Sequence, residues 1–532
     1  MKKGFLWALA IIMIMSVALA GCNSDSGSDG NGGSGDSEKE QTLIFGRGGD
    51  SVGLDPATVT DGESFKVIKN VYDTLVEYGE QDTEVHPALA EEWDVSEDGL
   101  TYTFTLREGV KFHNGDDFNA EAVVKNFERW MNSGDAGKFA YYASMFGGFK
   151  GDEGHVIKSV EAKDENTVVF TLNRPQAPFL KNLAMTPFSI GAPSEFDNLE
   201  TQPVGTGPFK FVDWKRNDRI TLEKNEDYFK EGLPKLDKVI FRAIPDNSNR
   251  LNALKTGEVH LIDGVNPSDV AEIEQADELK PFFRPSMNVG YLGFNTEMEP
   301  FNNKKVRQAL NHAVDKDALI KAFYEGQAEP AKNPMPPVIN GYNDEIDPYP
   351  FDLEKAKELL AEAGYEDGFK TELWAMPVPR PYMPDGKKAA EAIAANFAKI
   401  GVEAEIVSFE WGTYLEKTQK GEAPMFLLGW TGDNGDADNF LYTLLDKDTI
   451  GSNNYSRFAN DELHDILIEA QSTPDEDKRA ELYKEAQVIL HEEAPWVPLV
   501  HSEPALAGLK NVEGFKPHPT GSDKLTNVYL SE

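Results

Sequence analysis

The chain has 532 residues, 40% apolar and 27% charged, a globular composition long enough for two or three lobes. Its 52 Lys and Arg stand against 91 Asp and Glu, and the formal charge of −39 excludes the basic face that DNA or RNA binding requires. The only cysteine, Cys22, excludes a disulfide-built fold.

Residues 1–21 read as a lipoprotein signal peptide: Lys2 and Lys3 precede an apolar run from Phe5 to Leu19. The run ends in Leu19-Ala20-Gly21-Cys22, which resembles the bacterial lipobox and makes Cys22 the lipidation site. Two acyl chains on one residue bury enough CH2 for stable anchoring. Residues 22–40, rich in Ser, Gly, Asp and Glu, form a flexible tether. The chain is therefore expected on the outer face of the cell membrane, attached to it by lipid rather than spanning it.

From Thr42 onward, short alternating runs and amphipathic stretches predict an α/β protein. Strands are expected at Thr42–Gly46, Thr101–Leu106, Thr167–Leu172, Arg219–Glu223 and Lys238–Ile244. Asn119 is placed to cap a helix reaching Met131, with Ala122, Val123, Phe127 and Trp130 on one face. A second helix covers Asn247 to Lys255 and is stopped by Gly257. Met287–Asn295 predicts a strand, and Asn303 to Val314 a helix. A β-α-β-α-β series follows, with strands Phe369–Ala375, Val402–Ser408 and Met425–Gly429. Ile393, Phe397 and Ile400 form the inward stripe of its first crossover, and Trp411 to Lys420 form the second. Such crossovers make the strands parallel.

Ligands of open parallel sheets bind beyond the carboxyl ends of the strands. The residues just past those ends include Arg380 and Tyr382, then Trp411, then Trp430, Thr431 and Asp433. Pro377, Pro379 and Pro381 restrict the backbone around Arg380, whose planar fork suits a carboxylate. Arg380 and Asp433 together match a zwitterion such as a short peptide's two termini, with Tyr382, Trp411 and Trp430 as walls. A calcium loop starting at Asp433 fails, because its sixth and twelfth positions are Asp438 and Leu444; Asp436 and Asp438 are expected to cap the next helix or steady the loop. Nucleophile elbows, phosphate loops and zincin helices are missing, so the reading carries no catalytic residue, metal or cofactor, and no enzyme.

Several motifs carry a resemblance. They include Leu89-Ala90-Glu91-Glu92-Trp93, Arg174-Pro175-Gln176-Ala177-Pro178-Phe179-Leu180 and Gly205-Thr206-Gly207-Pro208-Phe209. The most specific are Leu373-Trp374-Ala375-Met376-Pro377-Val378 with Arg380-Pro381-Tyr382, and Gly429-Trp430-Thr431-Gly432-Asp433-Asn434-Gly435-Asp436. From Thr42 to its end the chain resembles family 5 solute-binding proteins of ABC importers, near the dipeptide-binding subgroup. The resemblance implies a two-lobed, periplasmic-binding-protein-like clamp (type II, cluster C). Lobe one would take residues 41–285, with an extra subdomain at about 75–185, lobe two residues 286–502, and residues 503–532 would return to lobe one. It also implies that Arg380 holds a ligand carboxylate, that Asp433 holds its ammonium, and that Gly62 contributes from lobe one. The family's serine beside Gly62 is replaced by Asp61. The implied partners are a dipeptide or short peptide and the membrane and ATPase subunits of an ABC permease, served by a monomer. Related proteins bind glutathione, haem, 5-aminolevulinate, nickel complexes or sugars, so another small zwitterion or cofactor on the same fold is the alternative. An exported hydrolase or a chaperone-like or sensory lipoprotein is a more distant one.

Overall fold

The computed structural model describes residues 40–532; the signal peptide, Cys22 and the tether up to residue 39 lie outside the described residues. The first large sheet has seven strands drawn from distant parts of the chain. Its strand Thr42–Arg47 runs parallel to Lys238–Ala243 and Leu261–Ile262, and the other pairings are antiparallel. Leu43 and Phe45 alternate into the core beneath this strand. Ala505–Leu509 enters between Leu279–Phe283 and Leu261–Ile262, which sews the end of the chain into its beginning.

A separate antiparallel sheet takes Ala90–Val95, Thr101–Leu106, Thr167–Leu172 and Ile157–Ala162. The helix Ala120–Met131 packs on it and starts as expected, because Asn119 Oδ1 accepts the Ala122 amide at 3.0 Å. Its stripe closes an aromatic core: the Phe127 ring lies 4.7 Å from Trp130 and 4.8 Å from Phe170, centre to centre.

The second large sheet has six strands between Asn288 and Ser502. Phe369–Trp374 lies between Val402–Val407 and Met425–Thr431 and is parallel to both. The crossovers are the helices Gly386–Ala398 and Trp411–Gln419; the second stops at Gly421, which adopts φ +76°. The rest of this sheet is not parallel. Asn288–Phe294 runs antiparallel to both Met425–Thr431 and Trp496–Ser502, with Tyr291 stacked on Trp496 at 3.6 Å. No described helix is long and apolar enough to cross a membrane.

The result is an α/β protein of two lobes, one on each large sheet. The chain leaves the first sheet after Phe283, enters the second at Asn288, and returns between Ser502 and Ala505. Both sides of this crossing are paired. Phe283 is in register with Ala505, while Asn288 donates Nδ2 to the Ser502 carbonyl at 2.8 Å and accepts the Ser502 amide at 3.0 Å. Between them Arg284 is buried and forked onto Asp523 at 2.7 and 2.8 Å. Burial alone would push the guanidinium down, but Asp523 outweighs it and holds Arg284 above its ordinary value.

Removing one partner of such a pair strands a buried charge. Asp523→Ala is expected to cost about 3–5 kcal/mol in urea unfolding. The double variant Arg284→Met/Asp523→Leu should recover most of that loss, which a double-mutant comparison of the unfolding midpoints checks.

Candidate functional site

The strands Phe369–Trp374, Val402–Val407 and Met425–Thr431 are parallel neighbours, so their carboxyl ends leave one edge of the second sheet. The loops after them carry Arg380 and Tyr382, Trp411, and Asp433, while Trp430 and Thr431 close the last strand. Trp411, Trp430 and Thr431 are all half-buried.

Arg380 sits at a tight reversal in which it and Met383 exchange both backbone hydrogen bonds, at 3.0 and 2.9 Å. Its side chain is exposed, and its guanidinium carbon lies 5.5 Å from the centre of the Trp411 ring. Among the described residues no acid lies within 4 Å of it. Trp411 is the first residue of its helix, whose start is capped by Glu410 accepting the Gly412 amide at 3.0 Å. Cap and helix therefore fix the platform on which the arginine rests.

Tyr382, expected as a wall of the site, also has a structural task. Tyr382 is only 8% exposed and packs onto the sheet itself. Gly290 and Gly429 face each other on adjacent strands; a Cβ on Gly429 would overlap the Tyr382 ring, and one on Gly290 its carbonyl oxygen. That carbonyl also accepts the Tyr324 hydroxyl at 2.7 Å. Tyr382 is thus the peg that seats the Arg380 loop. Burial pushes its hydroxyl up to about 12, while nearby Arg380 works against this.

Asp433 is held by neutral groups. Tyr141 donates its hydroxyl to Oδ1 at 3.1 Å, and Asn439 donates Nδ2 to Oδ2 at 3.2 Å. Asn439 Oδ1 also accepts the Asp433 amide at 2.9 Å and the Trp430 indole at 3.0 Å, so one amide orients both residues. Among the described residues no cation lies within 4 Å of Asp433. Burial pushes its carboxyl up to about 6, and the two hydrogen bonds only partly oppose this. Asp436 differs: Arg479 forks onto it at 2.8 and 2.6 Å and, outweighing burial, brings it down to about 2. Asp438 accepts Gln471 at 3.0 Å and is pushed up to about 7 by burial and then by Asp436. Asp436 thus steadies the loop through Arg479.

The same loop touches residues far back in the chain. Lys181 donates to the Gly435 carbonyl at 3.0 Å, and Asn434 donates to Asn182 at 2.7 Å. Gly435 adopts φ +63°, and a Cβ there would collide with Thr83. Tyr141 packs edge-on against Phe65 of the helix Gly62–Val71, 5.8 Å between centres, which links the start of that helix to Asp433. Asp61 caps this helix by accepting the Ser64 amide at 2.9 Å. Gly62 is exposed at its first turn, and among the described residues no hydrogen bond joins it to the Asp433 group.

Tyr141, Lys181, Asn182 and Asn439 were not singled out in the sequence. Asn439 alone had a local signal, an amide six positions beyond Asp433 at the start of a helix. One further group, Asp446, Asp448 and His464, has metal-ligand spacing. His464 Nδ1 lies 3.1 Å from both Asp446 oxygens, which a histidine–carboxylate hydrogen bond accounts for.

The profile of the family described as "Bacterial extracellular solute-binding proteins, family 5 Middle" matches residues 84–452. A haem-binding protein A of Haemophilus influenzae is 42% identical over 92% of this chain and 92% of its own length. A dipeptide-binding protein of Escherichia coli is 40% identical over 92% of this chain and 95% of its own. Among solved structures, a periplasmic binding protein DppA of Helicobacter pylori in complex with the peptide STSA superposes with a TM-score of 0.79 at 41% identity, covering 92% of this chain and 98% of that one. The two lobes are those of the type II clamp of these neighbours, and the chain belongs to the bacterial extracellular solute-binding proteins of family 5.

Proposed function

We propose that the chain captures dipeptides or short peptides by their charged ends and delivers them to an ABC permease from the outer face of the membrane, anchored there through Cys22. In this reading residues 41–285 with 503–532 form one lobe, residues 286–502 the other, and residues 75–185 an extra subdomain of the first. Arg380 takes the ligand carboxylate, Asp433 its ammonium, and Trp411 and Trp430 cover the chain between. One observation carries the reading: an arginine and an aspartate leave the same sheet edge, and neither has an opposite charge within 4 Å among the described residues. Closure of the lobes excludes water, which strengthens both contacts and penalises a ligand that lacks either charge. The haem-binding relative favours a second reading, the same clamp holding another small zwitterion or cofactor such as glutathione, 5-aminolevulinate or haem. Native mass spectrometry of protein purified from its own host separates the two by the mass retained.

Titration calorimetry tests the roles of the charges. A free dipeptide is expected to bind at least about 100-fold more tightly than its N-acetyl or C-amide form, the equivalent of about 3 kcal/mol for one stranded charge. Asp433→Asn should abolish the discrimination against N-acetylation and leave that against amidation. Equal binding of all three peptides to the natural chain would overturn the assignment.

The pH dependence follows from Asp433. An ammonium bound beside it lowers its carboxyl from about 6, so binding releases a proton near pH 6. Affinity is then full above about pH 6 and falls as pH drops below it, measured as buffer-dependent binding heat that disappears in Asp433→Asn. The free protein shows the opposite sign: a carboxyl raised on folding stabilises fully below its unfolded value near 3.9 and loses this as pH rises through about 6. Asp433→Asn should therefore gain stability relative to the natural chain above pH 6, as thermal unfolding at pH 4 and pH 7.5 will show.

A further inference from the structure

A second pocket, of about 170 Å³ and open to solvent, lies at the other end of the helix that begins at Gly62. It is formed by that helix, the turn after Val76–Tyr78, the loop after Arg219–Lys224 and the segment 514–527, all on the side of the first sheet. Its charge runs against the rest of the chain: Lys69, Lys230, Lys516 and Lys524 line it, against Glu77 and Glu80.

Three of these lysines are matched. Lys524 meets Asp73 at 2.7 Å and Glu77 at 3.0 Å, Lys230 also pairs with Glu77, and Lys516 pairs with Glu80. Lys69 is not. Among the described residues it has no acid within 4 Å and no hydrogen bond; its ammonium lies 5.9 Å from the centre of the Tyr78 ring. Burial and then the neighbouring charge of Lys524 push it down to about 8, only partly opposed by Glu77 and Asp73, neither of which lies within 4 Å of it. A second, independent observation lies in the same wall. Thr526 is 5% exposed, and its buried hydroxyl has no partner. Ser522 and the Asn527 amide add donors, although Asn527 already donates to Glu80 at 2.8 Å. His518, stacked on Tyr78 and pushed down to about 4 by burial, stays neutral there.

We propose that this pocket binds a small, multiply charged oxyanion, a phosphate or a polycarboxylate, with Lys69 as the charge it pairs with and Thr526 as a hydroxyl donor. The ammonium gains the partner it lacks, and the unpartnered hydroxyl gains an acceptor. The site is separate from the Arg380 and Asp433 loops, so it stands whether or not those bind peptide.

Equilibrium dialysis of the full chain against radiolabelled phosphate, and separately citrate, at ionic strength fixed with chloride, tests it. Saturable binding of one anion per chain is expected, weakened about tenfold or more by Lys69→Gln and retained by Lys69→Arg. Thr526→Val, which leaves every charge in place, should weaken it by about threefold. Phosphate and citrate arms tell which anion is preferred, and binding of either supports the site. Absence of saturable binding for both, or equal binding by Lys69→Gln and Thr526→Val, overturns it.

Discussion

A carboxylate held by neutral donors alone is the constraint around which the second lobe is arranged. Tyr141 and Asn439 fix the direction of Asp433 without cancelling its charge. Asp436, a few positions on, has every reason of burial to behave likewise, yet Arg479 satisfies it completely. The loop thus separates two tasks that a single aspartate could not combine. One side chain keeps the turn rigid, and the other is left with unspent attraction. Unspent charge in a half-buried place is costly, and such groups persist where a partner arrives from outside.

Rigidity at the neighbouring loop is obtained sterically instead of electrostatically. The facing glycines Gly290 and Gly429 open a notch across two strands, and Tyr382 fills it. An exposed arginine on a loop ordinarily loses much side-chain entropy when it binds. Here the reversal at Met383 and the Tyr382 peg hold the backbone of the loop, and the Trp411 face lies beside the guanidinium.

Much of this was legible in the sequence, for identifiable reasons. Thr101–Leu106 and Thr167–Leu172 alternate cleanly because one face of each meets the aromatic core, and their ends came out as expected. Asn119 declared its helix through a capping side chain. The three parallel strands followed from two helical links, and that topology alone gathered Arg380, Trp411 and Asp433 at one edge. The helices Asp461–Ser472 and Glu476–Glu493 escaped notice; the second mixes charged and apolar residues around its whole circumference, so no single stripe announces it. Tyr141 escaped because it reaches Asp433 across 292 positions of chain, a distance over which no spacing rule operates. The packing of Tyr382 was not legible, since an aromatic beside an arginine looks the same in one dimension whether it faces solvent or a glycine notch.

The paired crossing between the sheets has a mechanical corollary. With register locked at Phe283 and Ala505 on one side and at Asn288 and Ser502 on the other, only a few backbone torsions remain between the two halves. Sliding or twisting would break ladder bonds, whereas swinging about the line of the crossing breaks none. The molecule is built like a book on a short spine. Any rotation about that spine is magnified with distance from it, so the parts farthest from the crossing move most.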